Sequence, residues 1–312
     1  METSAPSGNP LQDLSANLAA IAERVGQSVV AVHGRHRFPS SGVIWQPGVV
    51  VTAAHTLRQE DGIEVTLADG RTVAAVLAGR DPGTDLAVLR LDGVASNPVE
   101  TGDARALKAG HLVLAVARVD RLGTSADFGV VGTAGGPWRT WRGGQFDAVV
   151  RLDGGLRPGF SGAALADMQG RVMGLCTSAL ASGAGILIPA ATVARVSGEL
   201  LSKGRVSHGY LGVGTQPVNL SDSWVTKLNL ASGRGLLVVS LAAGGPAEQA
   251  GVLIGDVLVE LDGKPCQDMD DVHAALGGDR IGQLLKIGLI RGGERKECSV
   301  MVGERQQRKS CG

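Results

Sequence analysis

Leu156-Arg157-Pro158-Gly159-Phe160-Ser161-Gly162-Ala163 places a serine between glycines two positions before and one position after it, directly behind a Pro-Gly turn signal. The small residues allow a sharp turn and leave the hydroxyl uncovered. Such a turn can aim the amides of Gly159 and Ser161 at one point. Two converging N–H groups beside a serine oxygen are what an acyl-transfer site offers its oxyanion. Alone the pattern is weak, because a chain with 47 glycines has many ordinary turns. Two upstream stretches change its weight. Val51-Thr52-Ala53-Ala54-His55 ends a β-branched run on a histidine. Asp81-Pro82-Gly83-Thr84-Asp85-Leu86-Ala87-Val88-Leu89 sets carboxylates at the head of an apolar strand. The chain order His55, Asp85, Ser161 is the chymotrypsin-like one among convergent triads, and it disfavours an α/β-hydrolase, where serine comes first.

The bulk properties exclude several classes. Lys+Arg and Asp+Glu number 30 each, so the net charge is zero and the basic excess that nucleic acid or an anionic membrane requires is missing. Aromatics at 3% supply no base-stacking platform. None of Cys176, Cys266, Cys298 and Cys311 forms a Cys-x-x-Cys pair, so zinc and thioredoxin-type readings fail, while free thiols and a Cys266–Cys298 bridge both stay open. No metal, nucleotide or other cofactor is expected. The first ten residues lack a basic segment followed by an apolar one, and no run reaches the ~18 apolar residues of a membrane helix. The expectation is a cytoplasmic chain without a membrane span, with the periplasm as the alternative if the N-terminus is incomplete or processed.

The 312 residues predict two domains. Residues 1–10 read as disordered. Leu11, Leu14, Leu18, Ile21 and Val25 recur at helical spacing up to Gly26. Short strands follow over 28–32, 41–45, 48–52, 63–67, 72–78, 86–91 and 111–118, then over 128–133, 147–152, 162–166, 171–177 and 185–189. Strands at this pitch, punctuated by Asp69-Gly70 and Asp92-Gly93, predict antiparallel barrels rather than a parallel sheet. A helix over 190–203 ends at Gly204. Composition shifts at 204–209, and a mixed unit follows, with strands over 236–240, 257–261, 284–291 and 297–302 and helices over 246–250 and 268–276. The tail 304–312 reads as a solvated, flexible segment.

These motifs together resemble the HtrA (Deg) serine proteases, over about residues 14–302. Glu23-Arg24-Val25-Gly26-Gln27-Ser28-Val29-Val30 resembles the family's lead-in to its first strand, and the His55, Asp85 and Ser161 motifs resemble its triad motifs. Tyr210-Leu211-Gly212-Val213 resembles its carboxylate-binding loop, and Gly245-Pro246-Ala247-Glu248-Gln249-Ala250-Gly251 opens a segment similar to its PDZ core. The resemblance implies a mainly β fold, a chymotrypsin-like double barrel over 11–203 followed by a smaller α+β PDZ domain over 209–303. It implies a serine endopeptidase acting on unfolded or damaged proteins, with peptide C-termini as partners of the PDZ domain. It also implies a homo-oligomer, a trimer in many members, through N-terminal aromatics; residues 1–32 hold no Phe, Tyr or Trp to carry that contact. The chain departs from the family at Phe160, where Asn is usual, at Ala163, where Gly is usual, and at Ala117-Arg118-Val119-Asp120-Arg121-Leu122-Gly123, which stands in place of a Gly-Asn-Pro-Phe-Gly stretch.

The expected roles follow. Ser161 is the nucleophile, His55 its base and Asp85 the group that holds the imidazole tautomer. The oxyanion hole is the amides of Gly159 and Ser161. The resemblance implies that residues 183–189, with Ile186 and Leu187, help form the primary pocket; they carry no charge, so small or branched apolar side chains are expected in it, and a core role for both residues is the competing reading. Tyr210, Leu211, Gly212 and Val213 are expected to bind a peptide carboxylate, with Val272 and Leu276 on the facing helix. The rival function is a peptide-binding scaffold whose protease fold has lost activity through the Phe160 and Ala163 changes.

Overall fold

The computed structural model describes residues 9–34, 39–94, 97–119, 123–140, 143–181, 183–207, 209–277 and 280–304. The chain divides into two units, Met1–Val206 and Ser207–Gly312.

The first unit opens with helix α1, Pro10–Gly26. Asn9 caps it through its side-chain oxygen, which accepts from Leu11 N at 3.1 Å, so residues 9 and 10 are helix start rather than disordered leader. The remainder of the expected disordered N-terminus, and all but the first residue of the expected tail, lie outside the described residues. Only the C-terminal half of the helix is buried, through Ile21 and Val25, while Leu11 is exposed.

Six strands form a closed antiparallel barrel in the order β1-β2-β3-β6-β5-β4: β1 Val29–His33, β2 Ser40–Gln46, β3 Val49–Ala53, β4 Ile63–Thr66, β5 Thr72–Asp81 and β6 Leu86–Arg90. The runs of β1, β3 and β6 are almost continuously apolar because both of their faces are buried. Val30, Ile44, Val50 and Leu89 fill the barrel. Val29, Val43, Val51 and Val88, one residue out of phase, face a second cluster that also holds α1 and residues of the next barrel. A period-2 strand with one solvated face would have alternated.

The second barrel has the order β11-β14-β13-β12-β7-β8, from β7 Leu112–Ala117, β8 Ser125–Gly135, a hairpin of β9 Trp138–Arg139 with β10 Gln145–Phe146, then β11 Val149–Leu152, β12 Ala164–Ala166, β13 Val172–Thr177 and β14 Ile186–Pro189. Helix α2, Ala190–Lys203, closes the unit and ends at Gly204 in the left-handed conformation, φ 72°.

The second unit is α+β. The pair β15 Gly209–Tyr210 and β22 Gly303–Glu304 joins its two ends, so Glu304 belongs to a strand and not to a free tail. The main sheet runs β16-β17-β18-β20-β21, from β16 Val213–Asn219, β17 Arg234–Leu241, β18 Val257–Leu261, β20 Leu284–Arg291 and β21 Glu294–Met301, with β19 Lys264–Pro265 on β18. Helices α3 Asp222–Lys227, α4 Pro246–Gln249 and α5 Met269–Ala275 complete it. Cys266 lies in its core with Cys298 packed against it, and both are free thiols, which settles the bridge left open by the sequence.

Candidate active site

β3 runs into a single 3-10 turn, Ala54–Thr56, which carries His55. The opposite strand β6 starts at Leu86, registered with Ala53, so the residue before it lies beside the histidine turn. That residue is Asp85, in a left-handed conformation with φ 59°. Such a conformation costs a non-glycine residue about 1–3 kcal/mol, so its surroundings must impose it. Asp81 does so: its carboxylate, 1% exposed, accepts from Gly83 N, Thr84 N and Thr84 Oγ1 at 3.1, 3.1 and 2.7 Å. Ala54 N adds a bond to Asp85 O at 2.9 Å. The two carboxylates of the motif divide the work, Asp81 building the turn and Asp85 facing the histidine.

Asp85 is 4% exposed, and a buried carboxylate needs donors. It has three: His55 N on Oδ1 at 2.8 Å, His55 Nδ1 on Oδ2 at 2.7 Å, and Thr177 Oγ1 on Oδ2 at 2.5 Å. A carboxylate oxygen only accepts, so Nδ1 carries a proton, and in the neutral imidazole that is the tautomer whose Nε2 has the lone pair a general base requires. Thr177, at the end of β13, was not singled out from the sequence; nothing in a β-branched strand residue advertises a hydrogen bond across to another barrel.

Ser161 follows a turn in which Phe160 N donates to Arg157 O at 3.1 Å and Gly159 has φ 87°, the signature of a type II turn with proline second and glycine third. Among the described residues, neither the Gly159 amide nor the Ser161 amide has an acceptor within the protein. Gly162 also requires its glycine: φ is 85° and a Cβ there would lie 2.0 Å from Ser41 O. The Ser161 hydroxyl is bonded to Ser178 Oγ at 3.1 Å.

Two of the three family departures lie in the second-barrel core. Phe160 is 1% exposed and sits in the second-barrel core with Val113, Leu165 and Cys176, with the Arg157 guanidinium 4.6 Å from its ring centre. Ala163 is wholly buried in the same core. Of the expected pocket residues, Leu187 lies in this core and Ile186 is 2% exposed on the other face of β14. Leu187 is therefore corrected from pocket wall to core. Half-buried Leu156, at the head of the serine stretch, has its Cδ2 3.0 Å from where a Gly185 Cβ would be, next to the start of β14.

In the second unit β16 is the edge of its sheet, with β17 on one side only. Before it, Gly212 has φ 80° and Leu211 is buried in the core, while among the described residues the amides of both lack an acceptor. Tyr210 is engaged in β15, and Val213 opens β16. The start of α5 approaches β16 through Thr215 Oγ1, which donates to Met269 Sδ at 3.0 Å. Val272 packs in the core and Leu276 only partly.

Comparison with known proteins agrees with this architecture. The trypsin-like peptidase domain matches residues 40–175 and the PDZ domain residues 209–302. The chain is 33% identical over 271 residues to a probable periplasmic serine endoprotease DegP-like of Pseudomonas putida, covering 85% of this chain and 55% of that protein. A protein of the same description from Brucella suis is 32% identical over 278 residues, 86% of this chain and 53% of the other. The chain thus spans about half the length of the curated relatives it matches. Among solved structures, the HtrA-type protease AlgW with a decapeptide superimposes with a TM-score of 0.76 at 26% identity, covering 93% and 99% of the two chains. The serine endoprotease from Yersinia pestis gives 0.75 at 25%, covering 97% and 100%. Two six-stranded antiparallel barrels with a hydrogen-bonded His55–Asp85 pair between β3 and β6 have the architecture of a trypsin-like peptidase fold. More particularly, the chain belongs to the HtrA/DegP-like family with a C-terminal PDZ domain.

Proposed function

We propose that this chain is a serine endopeptidase acting on unfolded or damaged proteins, with Ser161 as nucleophile, His55 as base and later acid, and Asp85 holding the imidazole. The observation that carries the reading is the Asp85 carboxylate with its three donors, which makes Nδ1 the protonated nitrogen of the neutral imidazole and so Nε2 the basic one. Ser161 would attack the scissile carbonyl as its proton passes to Nε2. The negative oxygen would then meet the amides of Gly159 and Ser161, and His55 would return the proton to the leaving amine.

The side chain before the cut bond would be small or branched and apolar. Residues 183–189 carry no carboxylate to pair a buried Lys or Arg. The PDZ unit would take a peptide C-terminus, its carboxylate on the amides of Leu211 and Gly212 and its strand on the open edge of β16. No cofactor is part of the proposal. The compartment is an open pair: among the described residues no helix is long and apolar enough to cross a membrane, while the curated relatives are named periplasmic. Fractionation of a tagged chain separates the periplasmic reading from the cytoplasmic one.

Labelling with a fluorophosphonate tests the enzyme reading against the inactive scaffold. The wild type should label and cleave casein in the presence of a chelator, and Ser161→Ala should do neither. No labelling of the wild type, with or without a C-terminal peptide, would favour the scaffold.

A further inference from the structure

We propose that Ser41 is a positioning residue for the oxyanion amides, aimed by Arg118; the proposal rests on the serine endopeptidase reading above. Ser41, in β2 of the first barrel, is wholly buried. Its amide donates to Gly159 O and to Ser161 O, both at 3.1 Å, and its hydroxyl to Gly159 O at 2.9 Å. The carbonyls on either side of the nucleophile's turn are thus held by one residue of the other barrel.

The hydroxyl has one proton and must choose. Arg118 N donates to Ser41 Oγ at 3.1 Å and occupies its acceptor side. The competing acceptor, Arg118 O, is at 3.5 Å, so the proton goes to Gly159 O. Arg118 cannot shift easily. It is 7% exposed, and its guanidinium donates to Val29 O at 2.9 Å, to Gly26 O at 3.2 Å and to Thr124 Oγ1 at 3.4 Å. These partners gather at the C-terminal end of α1, where helix carbonyls favour a cation. Ser41 is braced from its other side as well, since Thr52 Oγ1 donates to Ser41 O at 2.7 Å.

The consequence lies in the turn. Between type I and type II the central peptide, here Pro158–Gly159, rotates by about 180°. That rotation decides whether the Gly159 N–H faces the reacting carbonyl or turns away. Two donors on the next carbonyl hold Gly159 in its φ 87° state. The Asn-to-Phe departure at position 160 acts in the same sense, anchoring the loop from the second-barrel core.

Ser41→Ala and Ser41→Cys in the full chain test this, assayed at a temperature where melting curves show both variants folded. Kinetics on a chromogenic peptide are compared with inhibition by the matching peptide aldehyde. In that adduct Ser161 Oγ bonds to the aldehyde carbon, its proton passes to His55, and the new oxyanion takes the site under test. Ser41→Ala should lower kcat about tenfold with KM within twofold, and weaken the aldehyde by the same factor, as loss of transition-state binding requires. Ser41→Cys, with a weak donor, should fall between. Unchanged kcat and aldehyde affinity, or a change in KM alone, overturns the proposal. If the wild type itself does not label, the enzyme reading falls and takes this one with it; a labelling wild type with an equally reactive Ser41→Ala sinks only the role of Ser41.

Discussion

Gly144 lies directly against the Gly83 carbonyl: a Cβ on Gly144 would be 2.1 Å from that oxygen. The contact joins the β9–β10 hairpin of the second barrel to the turn that presents Asp85. Thr140 fastens it, donating through Oγ1 to Gly83 O at 2.8 Å while accepting from Gly144 N at 3.0 Å. The backbone has no slack at this point. Gly144→Ala should cost about 1–3 kcal/mol as an overpacked site. It should also slow labelling of Ser161 more than about tenfold, since a shift of about 1 Å in a catalytic group is worth up to about 10²-fold. Thermal melting and the labelling rate check the two effects. Wild-type labelling in a destabilised variant would show that the clasp is structural only.

Asp85→Asn should leave the fold in place and lower kcat by about 10⁴-fold, the size of effect expected when the imidazole takes the wrong tautomer. An amide cannot accept from His55 N, His55 Nδ1 and Thr177 Oγ1 as the carboxylate does. Thr177→Val should cost less, about tenfold, because two donors remain. Stopped assays on a peptide ester measure both, and a Thr177→Val enzyme as impaired as Asp85→Asn would contradict this ranking.

A peptide with an apolar last residue and a free carboxylate should bind the PDZ unit. Amidating its terminus should weaken it about tenfold or more, given about 1.5–3 kcal/mol for a hydrogen bond to a charged group. Calorimetry gives the ratio. Equal binding of the acid and the amide would remove Leu211 and Gly212 from the carboxylate site. If the acid binds and casein cleavage stays constant, the PDZ unit is a tether; the bracing of the Ser161 loop by Ser41 and Phe160 favours that outcome.

Asp256 makes the PDZ unit acid-sensitive. Burial pushes its pKa up, but the Arg291 guanidinium, with Nε at 2.8 Å and Nη2 at 2.7 Å, and the Leu253 amide at 2.8 Å outweigh burial, and the net shift is downward. A carboxyl group with a lowered folded pKa stabilises the fold above its unfolded value, about 3.9, and that contribution is lost as pH falls through the folded value. Melting temperature should therefore fall below about pH 4 in the wild type. Asp256→Asn should be destabilised at pH 7 and should show a flatter acid limb, because the lost carboxylate takes its charge-assisted bonds from Arg291 and Leu253 with it. An acid limb identical in both proteins would assign that limb to other carboxylates.

Much of the molecule was legible in the chain because the signals were local. The helix over 190–203 was read to its last residue, since apolar periodicity and the stop at Gly204 are both written within it. The strands 257–261 and 284–291 were likewise read at their limits. The β9–β10 hairpin and β16 escaped the reading. A two-residue strand carries no period, and β16 pairs across its sheet with few buried side chains to mark it.

His55, Asp85 and Ser161 are the residues the sequence itself singles out: Asp85 and Ser161 because each follows a Pro-Gly turn signal, and His55 because it ends a β-branched run. Tertiary structure alone decided what holds them. Thr177, Ser41, Thr140 and Arg118 each act on a residue at least 57 positions away, through a hydroxyl, an amide or a buried guanidinium. Hydroxyl and backbone donors have no spacing that distinguishes a bond across two barrels from an ordinary strand residue. Phe160 shows the same limit: the sequence marks it as a departure beside the nucleophile, and only the packed second barrel turns that departure into an anchor.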